Sequence, residues 1–328
     1  MYSHQNDDRD NDTNVTNSSV SVVIPCYQQS RFLAEAIESA LTQTYTPSEI
    51  IVIDDGSPDD TATVAAQYAT VRYVYQQNRG LSAARNAGLN CASGGYVTFL
   101  DADDRLLPHA LETGASYLDT SPSLAFVAGG HRLISEDGSP LPGPKQGRVV
   151  KDCYRQLMHH NFIGCHNSVM YRRDVLLIVG GFDETLPAGE DWDTYLRIAQ
   201  RFPIHCHDEI VAEYRQHSSN ITRDVGLIMR VSLMVLQRHL ERIHGDQKAE
   251  AACEQGLQFQ EQRFRKDRMI AKMRADASAR RWGATTWDAV SLFCHDPLLL
   301  QKTLGEKSGR CSEVNSCPKN VLPAKLHR

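Results

Sequence analysis

GGYVTFLDADD, residues 94–104, runs an apolar strand (96–100) straight into three carboxylates, Asp101, Asp103 and Asp104. Three units of the same kind precede it. Residues 20–25 (VSVVIP) are a β-branched run suited to a strand buried on both faces. After a turn at 26–30, the apolar residues Phe32, Leu33, Ala36, Ile37, Ala40 and Leu41 fall at helical spacing over 31–43. A second buried strand at 50–53 ends in Asp54-Asp55-Gly56-Ser57 and leads to a helix at 61–68. A third strand at 71–75 is followed by a helix at 81–92, entered through Asn78-Arg79-Gly80. Strand and helix thus alternate four times in about 80 residues, which predicts the α/β class with a doubly wound, mostly parallel sheet. Such sheets bind ligands beyond the carboxyl ends of their strands. Tyr27, Asp54, Asp55, Asp101 and Asp103 stand at those ends.

Downstream the pattern loosens. A helix is expected at 106–118, strand character at 125–129 and 204–214, and a helix at 191–201. Gly and Pro at 137–147 mark a loop. From 225 onward the character changes to long polar helices, 230–244 and 249–281, with a basic excess at 263–281. Residues 1–18, rich in Asp, Asn, Ser and Thr, read as a disordered leader, and 286–328 as a loosely ordered tail. No internal repeat is found.

The 328 residues, 41% hydrophobic and 23% charged, suffice for one large domain with a helical appendage. A net charge of −5 carries no nucleic-acid footprint. No stretch approaches the roughly 20 apolar residues of a membrane span. The nine cysteines lack metal-ligand rhythm, since Cys311 and Cys317 are spaced too widely and without a second pair. Free thiols in a reducing cytosol are the expectation.

The acidic cluster admits two explanations. Carboxylates this close repel one another, and a hard divalent cation that also binds phosphate relieves the repulsion; a solvated acidic turn gives the same pattern. Asp54 and Asp55 either accept hydrogen bonds from a nucleobase or ribose, or close a turn. Arg85, on the helix opened by Gly80, has the planar fork to reach a diphosphate or the acidic cluster, or is a surface arginine. Glu190 and Asp191 either offer a general base or stabilise a helix start through its dipole. Arg215 suits a phosphate and His217 a metal shell, the plain alternative being a surface histidine.

Taken together, six stretches resemble glycosyltransferase family 2, with its GT-A fold: VSVVIPCYQQ (20–29), IIVIDDGSPDDT (50–61), NRGLSAARNAG (78–88), GGYVTFLDADDRLLP (94–108), GGFDETLPAGEDWDTYLRIA (180–199) and YRQHSSNIT (214–222). The resemblance spans residues 20 to 222 and implies a domain at 19–224, with a nucleotide-binding half (19–105), an acceptor half (106–224) and a helical extension (225–285). It implies inverting transfer from a UDP-, dTDP- or GDP-sugar, a UDP-sugar being the first expectation, with Mg²⁺ or Mn²⁺, to a glycan or lipid-linked acceptor in cell-envelope polysaccharide or glycolipid synthesis. Pro25 and Tyr27 match positions lining the nucleotide, and Gln28 stands where the family often has Asn. Asp54, with Asp55 beside it, matches the base reader. Arg85 matches the arginine near the phosphates. Asp101 matches the position near ribose and metal, and Asp103 the metal ligand. Asp191 matches the catalytic base and Glu190 an acceptor-side helper. Arg215 and His217 match a diphosphate and metal cluster.

A sugar nucleotidyltransferase would carry a Gly-rich basic loop after the first strand, where this chain has Cys26-Tyr-Gln-Gln-Ser30. A catalytically inactive scaffold would be signalled by loss of Asp103 or Asp191, and both are present. The basic C-terminal helices leave two readings open: peripheral contact with anionic lipid at the inner, cytoplasmic face of the membrane, or a solvated hairpin covering the acceptor half or a partner subunit in a homo-oligomer.

Overall fold

The computed structural model describes residues 18–143 and 152–278. Residues 1–17 of the expected leader (1–18), part of the Gly/Pro loop, the end of the last expected helix and the tail lie outside the described residues.

Strand β1 (Val20–Cys26) is buried throughout, with parallel neighbours on both sides. Helix α1 (Ser30–Leu41), β2 (Glu49–Asp54), α2 (Thr61–Ala65), β3 (Val71–Tyr75), α3 (Leu81–Cys91) and β4 (Tyr96–Phe99) follow in the expected order. Side-chain alternation sorts these strands onto two cores. Val23, Ile51, Ile53, Val97 and Phe99 meet Ala84 and Leu89 of α3. Val22, Ile24, Ile50, Val52 and Leu100 meet Leu33, Ala36, Ile37 and Ala40 of α1 on the other face. Helix α3 lies so close to β1 that a Cβ at Gly88 would sit 2.2 Å from Val23 Cγ1.

A proline inside a central strand normally forfeits a ladder bond. Pro25 escapes this because its nitrogen points to the β4 side, where pairing stops at Val23–Phe99 and a last bond from the Leu100 N–H to the Val23 carbonyl, 2.8 Å. On the β2 side the ladder continues to Cys26–Asp54. β1 and β4 therefore part at their carboxyl ends, where the sheet order reverses direction. Crevices at such switch points are the binding places of open α/β sheets.

The second half completes an eight-stranded sheet of order β3-β2-β1-β4-β7-β6-β8-β5. Its elements are β5 (Arg105–Leu106), α4 (Ala110–Thr120), β6 (Phe126–Ile134), α5 (Cys153–His159), β7 (Val169–Arg172), α6 (Arg173–Ile178), α7 (Glu190–Ala199) and β8 (Ile204–Arg215). β7 runs antiparallel to both β4 and β6, while β6 and β8 pair in parallel with register shifts around Gly130. The strand expected at 125–129 is thus longer than its apolar core, and a two-residue strand replaces the start of the helix expected at 106.

Helices α8 (Val225–Arg242) and α9 (Gln247–Ser278) follow. Val231, Val235 and Leu236 of α8 join the core that holds α7. The chain divides into two compact units, 1–261 and 262–328, so no break in packing falls at residue 225. In the second unit the described residues, 262–278, are helical.

Candidate active site

β1 ends in a bend whose backbone is unusual. Gln28 has φ 55°, the one positive-φ residue other than glycine among the described residues. Its N–H reaches Ser57 Oγ at 3.2 Å, tying the bend after β1 to the turn after β2. Pro25 is buried beneath, and Tyr27 is exposed at the surface of this bend.

Asp54 and Asp55 at the end of β2 are both buried, and both close turns. Asp54 Oδ1 accepts from the Ser57 N–H at 2.8 Å, and Oδ2 accepts from the Tyr73 hydroxyl at 2.7 Å. Asp55 receives the N–H groups of Arg79 (3.0 Å) and Gly80 (2.8 Å) and the Gln76 amide (2.6 Å). It thereby fixes the entry to α3, and α3 fixes Arg85.

Arg85 is 2% exposed. One guanidinium nitrogen donates to Asp101 Oδ1 at 2.7 Å and another to Glu190. Burial opposes its charge, but the two carboxylates outweigh burial and hold the group protonated. Of the destinations open to it in the sequence, the guanidinium takes the acidic cluster. It links the end of β4 to the start of α7, elements nearly ninety positions apart in the chain.

The three acids after β4 go three ways. Asp101 turns to Arg85. Asp103 Oδ2 lies 2.8 Å from His217 Nε2, and His217 Nδ1 is held 2.9 Å from Ser219 Oγ. Asp104 is buried; it accepts from the Arg215 N–H at 2.7 Å and from the Asn167 side-chain amide. Burial, joined by the neighbouring acidic charges, pushes Asp103 up and Asp104 well up. The same Asn167 accepts from the Asp101 N–H at 2.9 Å. No group of three or more His, Cys, Asp or Glu residues forms a ready ligand cluster among the described residues. Asp103 and His217 do present a carboxylate oxygen beside an imidazole nitrogen whose ring is fixed from its far side. That pair fits a divalent cation completed by phosphate oxygens. Asp101, expected to share in metal binding, has its Oδ1 held by Arg85.

Arg215, expected at a diphosphate, lies behind the acidic loop. It is fully buried, and its guanidinium donates to the carbonyls of Asp103 (2.7 Å) and Glu136 (2.8 Å) and to Glu35 (2.6 Å), stacked 4.6 Å over Phe32. It braces the acidic loop from behind.

Gly189, at φ 69°, starts α7 in the left-handed region that a side chain resists, and a Cβ there would meet Val231 at 2.7 Å. The turn leaves Glu190 buried against Arg85 and Asp191 half-buried beside it. Asp191 accepts from Asn161 Nδ2 at 3.2 Å and from the Trp192 N–H at 2.7 Å. Burial and the Glu190 charge, against the opposing Arg85, push its carboxyl up to about 6. That value suits a base working near neutrality. Asn161, Asn167 and Tyr73 are the residues sequence reasoning missed. The first two fall in a stretch without periodicity, and Tyr73 reads as an ordinary strand residue.

The carboxylates and the Arg85 bridge gather at the switch point of the sheet, and comparison with known proteins gives the class. A model described as Glycosyl transferase family 2 matches residues 21–177. A glycosyltransferase of Rickettsia prowazekii is 30% identical over 219 residues, covering 64% of this chain and 67% of that protein. One from Rickettsia conorii is 33% identical over 231 residues, 66% of this chain; the chain spans 37% of that relative's length. TuaG of Bacillus subtilis, a glycosyltransferase assigned to teichuronic acid biosynthesis, is 29% identical over 232 residues, 69% of this chain and 89% of TuaG. Residues 1-349 of S. aureus TarS, crystallised with UDP-GlcNAc, superpose with a TM-score of 0.58 at 20% identity, over 74% of this chain and 71% of that one. The mannosyltransferase PcManGT of Pyrobaculum calidifontis, in complex with GDP-Man and Mn²⁺, gives 0.57 at 17% identity, over 87% and 84%. The shared architecture is the GT-A fold of glycosyltransferases. The chain belongs to glycosyl transferase family 2.

Proposed function

We propose that this chain moves a sugar from a nucleoside-diphosphate donor, a UDP-sugar, to a hydroxyl of a glycan or lipid-linked acceptor with inversion, in the synthesis of a cell-envelope polysaccharide or glycolipid. The observation that carries the reading is Arg85 bound at once to Asp101 and Glu190. It sets the acidic loop, where the donor would lie, against the start of α7, where the base would act. TuaG and the donor complexes of TarS and PcManGT support the same class of donor and product.

In this reading Asp54 accepts the N–H of the nucleobase, and Pro25 and Tyr27 flank the nucleotide. Asp101 takes the ribose side, and Asp103 with His217 would hold Mg²⁺ or Mn²⁺. The cation, when bound, supplies positive charge to the diphosphate leaving group. Asp191 takes the proton of the acceptor hydroxyl while Asn161 and the Trp192 N–H keep its carboxylate oriented. The oxygen so freed attacks the anomeric carbon from the face opposite the diphosphate, which inverts configuration without a covalent intermediate. Glu190 and Arg85 keep the base and the donor side in register, and Asp55 and Arg215 hold the loops that carry them.

No helix among the described residues is long and apolar enough to cross a membrane. The basic excess at 263–281 is the feature that would hold the chain at an anionic membrane face where lipid-linked acceptors reside.

A thermal-shift screen of nucleotide sugars with and without Mn²⁺ tests the reading. A Tm rise specific to one donor, dependent on Mn²⁺ and lost in Asp103→Asn, is expected. No rise with any nucleotide sugar would contradict it.

A further inference from the structure

Uracil and guanine differ in the edge they offer a carboxylate. Uracil has a single N–H, N3–H, flanked by two carbonyl oxygens. Guanine has two adjacent donors, N1–H and the N2 amino group, spaced to engage both oxygens of one carboxylate in a bidentate pair. Charge-assisted pairs of that kind are stronger and more selective than single bonds.

Asp54 does not present two equivalent oxygens. Oδ1 carries the Ser57 N–H at 2.8 Å, a bond within the turn that any residue at 57 except proline supplies. Oδ2 carries the Tyr73 hydroxyl at 2.7 Å. Tyr73 comes from β3, the edge strand of the sheet, and is 37% exposed, so its ring borders the open end of the sheet beside Asp54. Burial and the hydrogen bond to Asp54 push the phenol up, so the hydroxyl stays a donor at neutral pH. Each carboxylate oxygen has two acceptor positions, and each Asp54 oxygen already carries one protein hydrogen bond, so a ligand N–H has to share an oxygen with Ser57 or with Tyr73. A single ring N–H needs only one shared oxygen and can use Oδ1, leaving the tyrosine hydroxyl in place. A guanine edge would have to displace the tyrosine hydroxyl or leave a donor unpaired, a costly outcome in a desolvated site.

We infer that Tyr73 is a specificity-determining residue, which by occupying Asp54 Oδ2 makes the site select a pyrimidine diphosphate with a single ring N–H over a guanosine diphosphate. The inference rests on Asp54 being the base acceptor, as proposed above. Nothing in the motif around Asp54 encodes it, because Tyr73 reaches the site from another strand.

Calorimetric titration of the full chain with UDP and with GDP, at fixed Mn²⁺, tests it. Wild type should bind UDP more tightly than GDP. Tyr73→Phe, which removes the hydroxyl alone from a half-exposed edge position, should shrink the UDP:GDP affinity ratio about tenfold, chiefly by tightening GDP. Asp54→Asn should weaken UDP. If Asp54→Asn leaves UDP binding unchanged, the base reading fails and the inference falls with it. If Asp54→Asn weakens UDP but Tyr73→Phe leaves the ratio as it was, the base reading stands and the role of Tyr73 is overturned. Equal wild-type affinity for UDP and GDP overturns it as well, without recourse to a variant.

Discussion

In the proposed reaction the chemistry turns on Asp191, and its environment gives the sign of the pH dependence. Burial and Glu190 hold its carboxyl up to about 6, and a base must be ionised to act. kcat/KM should therefore rise as pH passes through about 6 and level above it. Glu190→Gln removes the second cause of the rise, so the acid limb of its pH–rate profile should move to lower pH; an unmoved limb would dissociate Asp191 from that titration. The same shift works against stability. A carboxyl raised in the folded state favours folding while protonated and loses that contribution as pH climbs through the folded value. Asp191→Asn should consequently keep UDP binding, lose transfer and gain on the order of 1 kcal/mol in denaturant unfolding at pH 8, with a smaller gain at pH 4. Gln28 carries a different cost. Its φ of 55° suits Asn better than Gln. Gln28→Asn should stabilise the fold by roughly 0.5–1 kcal/mol, read as a higher Tm. The carboxylates, Asp191 included, and Arg85 were all legible in the sequence as residue types in order. What each one touches was not, because the partner of Arg85 lies across the sheet and the inward turn of Arg215 depends on Glu35, Phe32 and Glu136, far off in the chain.

At the scale of elements, the site is held by a hydrogen-bonded tie rather than by one motif. Asn167, in the short turn before β7, grips the Asp101 backbone and the Asp104 side chain, and Asp104 grips the backbone of Arg215 at the end of β8. The acidic loop is thus clamped between two strands of the other half of the sheet. Asn167→Leu leaves Asp104 buried and short of a partner, and should cost roughly 1–3 kcal/mol of stability in denaturant unfolding. It should also raise the Mn²⁺ concentration needed for half-maximal activity, since Asp103 sits in the same loop. The N-terminal alternation was readable because β1, β2 and β4 are short buried apolar runs and the apolar residues of α1 fall at helical spacing. β5, β7 and their antiparallel pairings were not. A two-residue strand and a four-residue strand carry no period, and their partners are set by contacts more than forty positions away.

Across the whole molecule, the change in sequence character at residue 225 marks a change of surface, not of core. Arg242 of α8 reaches Asp193 of α7 at 2.5 Å, and Asp193 is fully buried between it and Arg197. Gln260 of α9 donates to the His159 carbonyl at 2.6 Å, with Gly256 packed against Met158. A chain ended at 224 should fail to give a cooperative melt, because α8 buries apolar residues of the core and half the partners of Asp193. A chain ended at 261 should melt cooperatively and still bind UDP. The proposed reaction is single displacement, with Asp191 as the base opposite the donor. It is tested most directly by following hydrolysis or transfer of an α-linked UDP-sugar by proton NMR at early times. Inversion gives the β-anomer as the first-formed product, in a reaction that Asp191→Asn abolishes. A first-formed α-anomer, or full turnover in Asp191→Asn, would contradict it.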